Sequence, residues 1–293
     1  MARDPKYDCL FEPIKIGPKT MRNRFYQVPH CNGAGVDFIA TNAAFRGMKA
    51  EGGWGGVCAE AISVDRESDT DPAKLCNIWD DGDIQNLRHM TDAIHAWDSL
   101  AGAELMHGGV AAVNLFSRGV TRTPTEGTSA WTVGSYAHEA DVDDIAELQQ
   151  IYVEAAKRSL QAGFDIIYVY GSHAVLPMQF LSPQYNKRQD QYGGSFENRA
   201  RFWIESIEKV REAISGQAAL AVRISVDQIM GPGGVEAHQS HGIVQLGAQR
   251  VAMGRTPAQH LHRSRAYDGI RIGQGALCGG GNRRRRLDEG TGE

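Results

Sequence analysis

The stretch from Phe164 to Trp203, FDIIYVYGSHAVLPMQFLSPQYNKRQDQYGGSFENRARFW, narrows the possible folds of this chain more than any other part of it. It opens with an apolar, β-branched and aromatic run, FDIIYVY, between Gly163 and Gly171, the pattern of a fully buried strand. Tyr170, Ser172 and His173 crowd the C-terminal end of that run. A long loop with turn signals at Ser182-Pro183, Asn186 and Gly193-Gly194 follows, and from Ser195 apolar residues recur at helical spacing through Phe196, Phe202, Trp203 and Ile207. A buried strand, a polar C-terminal end, a long loop and a helix are how a (β/α)8 barrel builds an active site.

The length of 293 residues suits one barrel, which typically needs roughly 250. A net charge of −4 argues against a nucleic-acid binder, and no apolar run approaches the ~20 residues of a membrane span. The N-terminus, MARDPKYDCLFEP, lacks the apolar segment of a secretory signal. The five cysteines, Cys9, Cys31, Cys58, Cys76 and Cys278, are scattered, odd in number and without a C-x-x-C pair, so a cytoplasmic location fits better than a disulfide scaffold.

Up to Glu236 the chain alternates strand-like and helix-like segments, as a parallel sheet covered by helices does. Expected strands are Arg24–His30, Gly55–Val64, Ala101–His107, the run ending at Tyr170, and Ala218–Val226. Expected helices are Ala43–Glu51, Asp83–Trp97, Asp144–Ala162 and Ser195–Ile214, and the segment from Leu115 to Ala140, rich in Thr, Ser, Gly and Pro, reads as a long crossover. Residues 1–236 are therefore expected to be the N-terminal part of a barrel with five recognisable strands. Residues 237–293 differ: they hold nine Arg, eleven Gly and no Lys, Phe or Trp, and they show neither strand nor helix periodicity. The expectation for them is an aberrant, out-of-frame tail and an incomplete barrel, whose exposed strand edges predict poor solubility. The Arg283–Arg286 run also has the composition of a nucleic-acid or membrane patch, the less favoured reading.

The region from Phe164 onward resembles the flavin oxidoreductases related to old yellow enzyme. RFYQVPHC, KAEGGW, YNKR-x-D-x-YGGS-x-ENRARFW and the Gly231–Gly233 GPG are long, well-spaced blocks. They narrow the resemblance to the trimethylamine dehydrogenase family, with its dimethylamine and histamine dehydrogenases, over about residues 2–236. That resemblance implies an FMN-binding barrel and a flavin-dependent oxidoreductase acting on amines. It further implies dealkylation or deamination of a small amine by hydride transfer to FMN, an acceptor such as a flavoprotein, and allows a homodimer. Full-length members also carry a 4Fe-4S cluster; its ligands are absent here, where only Cys278 lies in the matching region, and no metal site is assigned.

The resemblance assigns roles to particular residues. Cys31 matches the cysteine joined to carbon 6 of the FMN ring, and reactivity of that kind belongs to the thiolate; without the VPHC context a small buried hydrophobe would be the default, as it is for Cys9, Cys58 and Cys76. Tyr170 and His173 match a pair beside the substrate amine, where a shared proton can keep the amine neutral and its lone pair available. Arg223, isolated in the apolar AVRISV, matches a cation at the N1/O2 edge of the ring, where it would stabilise negative charge. Glu104 stands where a polar residue accepts from the pyrimidine N–H, and Pro29 and His30 are expected to shape the rim. Asn186, Arg188, Asp190, Tyr192 and Arg199 to Arg201 read as architecture, a loop locked by ion pairs and hydrogen bonds.

Two positions depart from the family pattern. Ala61 replaces a tyrosine of the aromatic cage that holds trimethylamine by cation–π attraction, which puts that substrate in doubt. Val175 replaces the tyrosine proton donor of ene-reductases and weakens the alternative of an NAD(P)H:flavin ene-reductase. A third reading is an inactive barrel fragment.

Overall fold

The structure, a computed structural model, describes residues 4–70, 74–128 and 136–253. A 3-10 turn, Pro5–Phe11, is capped by the Asp4 carboxylate and leads to an antiparallel hairpin of β1 (Ile14–Ile16) and β2 (Lys19–Met21). Gly17 makes its turn at φ 55°, where only glycine avoids steric penalty. The hairpin packs across the N-terminal ends of later strands: Lys19 pairs with Asp165 at 2.9 Å, and a Cβ on Gly17 would come within 3.2 Å of the Ala219 backbone.

The units that follow are β3 (Tyr26–Gln27) with α1 (Ile39–Glu51), and β4 (Gly56–Ser63) with a short β5 (Cys76–Asn77) and α2 (Gly82–His95). Next come β6 (Leu100–Met106), the small strands β7 (Thr121–Thr123), β8 (Gly127–Thr128) and β9 (Tyr136–Glu139), and α3 (Val142–Gln161). The last units are β10 (Ile166–Gly171) with α4 (Leu176–Leu181) and α5 (Phe196–Ile214), and β11 (Ala219–Ile224) with α6 (Ala237–Met253). Strands β3, β4, β6, β10 and β11 pair in parallel in their chain order, with β5 attached to β4. A parallel sheet whose neighbours are consecutive and whose crossovers are helical is the wall of a (β/α) barrel.

Period two along the strands divides the core into two layers. On β10, Ile167 and Val169 pack with the helices, while Tyr168 approaches Tyr26 with ring centroids 6.3 Å apart and Tyr170 packs with Ala61, Met106 and Val175. The helices bury one face each. Helix α3 starts on a reciprocal Asp141/Asp144 capping box and buries Ile145, Leu148, Tyr152 and Ala156; α5 starts on Ser195, which accepts from the Asn198 N–H, and buries Phe202, Trp203, Ile207 and Val210. Phe202 stacks on Phe180 of α4 at 4.3 Å, and the Trp203 indole donates to the Val169 carbonyl at 3.2 Å.

Four expectations need correction. The first strand pairs only over Tyr26–Gln27 rather than Arg24–His30, because Pro29 has no N–H for a ladder. The crossover from Leu115 to Ala140 holds β7, β8 and β9, strands of two to four residues, too short to show a period. The loop after β10 contains α4, every residue of which is buried. Residues 237–253 form a helix where no periodicity was expected; its buried positions Ser240 and Ile243 lie three apart, and a serine at one of them masks the apolar signal. The remainder of the tail, with Cys278 and Arg283–Arg286, lies outside the described residues.

Candidate active site

At the C-terminal ends of these strands is a cavity of about 380 Å³. Pro29, His30 and Cys31 reach it from the segment after β3, Glu104 from β6, Tyr170 and His173 from the end of β10, and Arg223 from β11. The structure thus brings every site residue expected from the sequence to one cavity. It adds Thr70, Leu75, Met106, Gly108 and Ala111, and it places Ala61 and Val175 in the wall.

Strand register explains the inner wall. Tyr170 is the Cα partner of Arg223, and Glu104 that of both Tyr168 and Ala61, so the three polar groups share one face of the sheet, Glu104 one same-face step before the Tyr170–Arg223 pair. Arg223 Nη1 lies 3.2 and 3.3 Å from the two Glu104 oxygens, and the guanidinium stands 5.2 Å from the Tyr170 ring centroid. Glu104 is 1% exposed, and burial pushes its carboxyl up to about 7 although Arg223 pulls the other way. Near neutral pH this group both accepts and donates protons.

The ionised carboxyl is disfavoured in the fold, so wild-type stability falls as pH rises from the ordinary 4.5 to about 7 and the loss is complete above that. Glu104→Gln is therefore expected to gain about 1–3 kcal/mol at pH 8 and almost nothing at pH 4.5. Urea denaturation at the two pH values checks this, and equal effects at both would refute it.

Tyr170 and His173 are in hydrogen-bond contact through the phenol oxygen and Nδ1. Burial, then Arg223, lowers the imidazole below its usual 6.5, while burial and the Glu104 charge raise the phenol. Both groups are therefore neutral at pH 7, and the hydrogen bond between them runs in either direction according to the imidazole tautomer. His173 and Ala174 both adopt left-handed backbone, φ 51° and 58°, which for non-glycine residues costs about 1–3 kcal/mol each. The turn is held from outside: Gln179 Nε2 donates to the Ala174 carbonyl at 2.6 Å, the Leu176 N–H donates to the His107 carbonyl at 2.8 Å, and the Ser172 and Ser225 hydroxyls meet at 2.6 Å.

Cys31 is an exposed free cysteine on the rim, whereas Cys58 and Cys76 are buried. Desolvation by the adjoining wall raises the Cys31 thiol, helped by the Glu60 and Glu104 charges and opposed by a hydrogen bond from the Ala61 backbone and by Arg46. Sequence reading missed Arg46 and Glu60, both fully buried under this segment. An acid inside the apolar run GVCAEAIS was the available signal.

The loop before α5 is a locked scaffold. Asn186 donates to the Phe180 and Tyr192 carbonyls at 2.6 and 2.8 Å, Arg188 pairs with Asp190, and Arg199 donates to the Leu181 carbonyl at 2.8 Å. Gly193 is required there, since a Cβ would lie 2.1 Å from the Arg188 carbonyl oxygen. Among the described residues no helix is long and apolar enough to cross a membrane, and no group of three or more His, Cys, Asp or Glu could hold a metal.

The sequence profile of the NADH:flavin oxidoreductase / NADH oxidase family matches residues 9–268. This chain belongs to that family. Its match runs past Glu236, where the sequence alone suggested a break. A dimethylamine dehydrogenase of Hyphomicrobium sp. (strain x) is 51% identical over 242 residues, which are 80% of this chain and 33% of that protein. The structure of histamine dehydrogenase from Rhizobium sp. 4-9 is 40% identical with a TM-score of 0.79, over 83% of this chain and 36% of that one. The old yellow enzyme homologue of Zymomonas mobilis, at 26% identity and a TM-score of 0.70, covers 83% and 70% respectively. The chain thus spans about a third of the two amine dehydrogenases it matches.

Proposed function

We propose that this chain provides the cofactor and substrate half of an FMN-dependent dehydrogenase of small amines, with the flavin attached through Cys31. The observation that carries this reading is the neutral Tyr170–His173 pair facing the same cavity as the Arg223–Glu104 pair and the Cys31 thiol. Its volume lies in the range of ligand sites, about 300–1,000 Å³. The donor set fits a flavin ring: a fixed cation for its electron-rich edge, a buried carboxyl poised near neutrality for a ring N–H, and an exposed thiol. Bound FMN would supply the acceptor for a hydride from the carbon next to the amine nitrogen. The chain's part is to orient the amine against an apolar wall of Ala61, Met106 and Val175, while the His173 imidazole takes up a proton relayed through the Tyr170 hydroxyl and so keeps the amine nitrogen uncharged. The relationship to dimethylamine and histamine dehydrogenases supports an amine substrate.

The alternative, ene reduction, needs a proton donor that Val175 cannot be. Purified chain should be yellow, the colour should stay with acid-precipitated protein, and Cys31→Ala should release essentially all of it. Turnover should appear with a small amine and a dye acceptor. Turnover with NADPH and an enone but not with amine would overturn the proposal, as would flavin left wholly in the acid supernatant.

A further inference from the structure

We infer that the buried Arg46–Glu60 pair is a positioning device that fixes the backbone on both sides of Cys31; the inference rests on the reading of Cys31 as the flavin attachment point. Arg46 of α1 and Glu60 of β4 are both fully buried, 4.0 Å apart. Arg46 Nη2 donates to the His30 carbonyl, one residue before the cysteine, and Nη1 donates to Gln27 Oε1 at 3.3 Å. Glu60 Oε2 accepts from the Asn32 N–H at 3.4 Å, one residue after it, and Oε1 accepts from the Cys76 N–H at 2.9 Å. Asn42 completes the clasp, donating to Glu60 at 3.4 Å and accepting from the Asn32 side chain at 3.2 Å.

Stability alone is a poor reason to keep such a pair. Desolvating two charges can outweigh their attraction, and Arg46 Nε has no hydrogen-bond partner among the described residues. Strand β4 is also deformed at this point. Its register with β6 passes from Cys58–Gly102 to Ala61–Glu104, one extra residue on β4, and bulges of this kind re-aim side chains beside active sites. Ala61, which follows the bulge, lines the same cavity as Cys31. Strand, helix and bulge therefore converge on a segment that Pro29 keeps out of the sheet ladder.

The test compares the full chain with Arg46→Met/Glu60→Met, which removes both charges together, and with Glu60→Gln, whose single acceptor oxygen can serve the Asn32 amide or the Cys76 amide but not both. Hydrogen exchange of the peptide over residues 28–33 should accelerate at least tenfold in the double variant, with β4 and β6 as protected as in wild type. In flavin-free protein, where the thiol is uncapped, alkylation of Cys31 by iodoacetamide, followed by peptide mass spectrometry, should change at least threefold, and in flavin-loaded protein acid-stable flavin should fall at least fivefold. Glu60→Gln, which leaves one of those amides unmet, should place all three between wild type and the double variant. Unchanged exchange over residues 28–33, exchange that rises equally throughout the sheet, or undiminished acid-stable flavin would each overturn the inference. If the double variant does not fold, Arg46→Lys, which keeps the cation but loses the fork, takes its place. If wild type itself holds no acid-stable flavin, the attachment reading fails, and the exchange and alkylation results still decide whether the pair fixes the segment.

Discussion

Arg223→Met is expected to leave the sheet folded and to slow reduction of bound flavin by a small amine about 10²–10³-fold, the usual loss when one preorganised group facing developing charge is removed. The guanidinium is held from two sides, by the Glu104 oxygens at 3.2 and 3.3 Å and by the Tyr170 ring at 5.2 Å, so its charge needs no reorganisation during the reaction. The fold should survive because Arg223 is only half-buried and because its partner can neutralise itself. With Arg223 gone, burial alone acts on Glu104, whose carboxyl rises above about 7 and is protonated at neutral pH. His173 should respond as well, since Arg223 is one of the two causes that lower its imidazole. The pair needs neutral imidazole, so the acid limb of the rate profile should move to higher pH in the variant. Anaerobic stopped-flow reduction between pH 5 and 8 measures both effects. A rate within threefold of wild type, or an unmoved acid limb, would remove Arg223 from the proposed chemistry.

The largest loss of stability is expected under the other half of the site. Trp203 is fully buried, and its indole lies against Gly171, the last residue of β10, where an added Cβ would stand 2.3 Å from Cζ2. Trp203→Ala should cost about 3–5 kcal/mol through lost contacts and a cavity. Gly171→Ala should cost at least ~1–3 kcal/mol by overpacking, since an indole bonded to the Val169 carbonyl has nowhere to move. Gly171→Ala combined with Trp203→Phe should be less harmful than the sum of the singles by roughly 1 kcal/mol, because the smaller ring leaves room for the methyl. Urea denaturation of wild type, Gly171→Ala, Trp203→Phe and their double variant tests this; strict additivity would mean that the indole is not what excludes a side chain at 171.

The parts of this protein that sequence reveals are those whose burial leaves a periodic or continuous trace. GVCAEAIS and IIYVYG are buried on both faces and read as unbroken apolar runs, and α3 and α5 bury single stripes. The site was legible because polar residues such as Tyr170 and Arg223 interrupt such runs at strand ends. The hidden parts are local exceptions. Helix α4 is framed by the Pro and Ser residues that usually mark a loop, and α6 spends a buried position on Ser240. Arg46 falls on a helix, where an arginine is ordinarily solvated, so only the fold shows it buried. The left-handed turn at His173 and Ala174 carries no glycine to announce it.

The chain-order arrangement of the strands has a consequence for biosynthesis. Cys31, Arg46 and Glu60 leave the ribosome close together, so the thiol and the clasp around it can be assembled early. Arg223 emerges about 190 residues after Cys31, roughly 10–40 s later at ~5–20 residues per second. Throughout that interval a nascent chain presents the thiol without the cation, and until Tyr170 and His173 emerge it lacks the phenol and the imidazole as well. On the proposed attachment, flavin capture is a late event timed by translation of β11, and a ribosome stalled before that strand would release a polypeptide that has its nucleophile but lacks the cation for the ring's electron-rich edge.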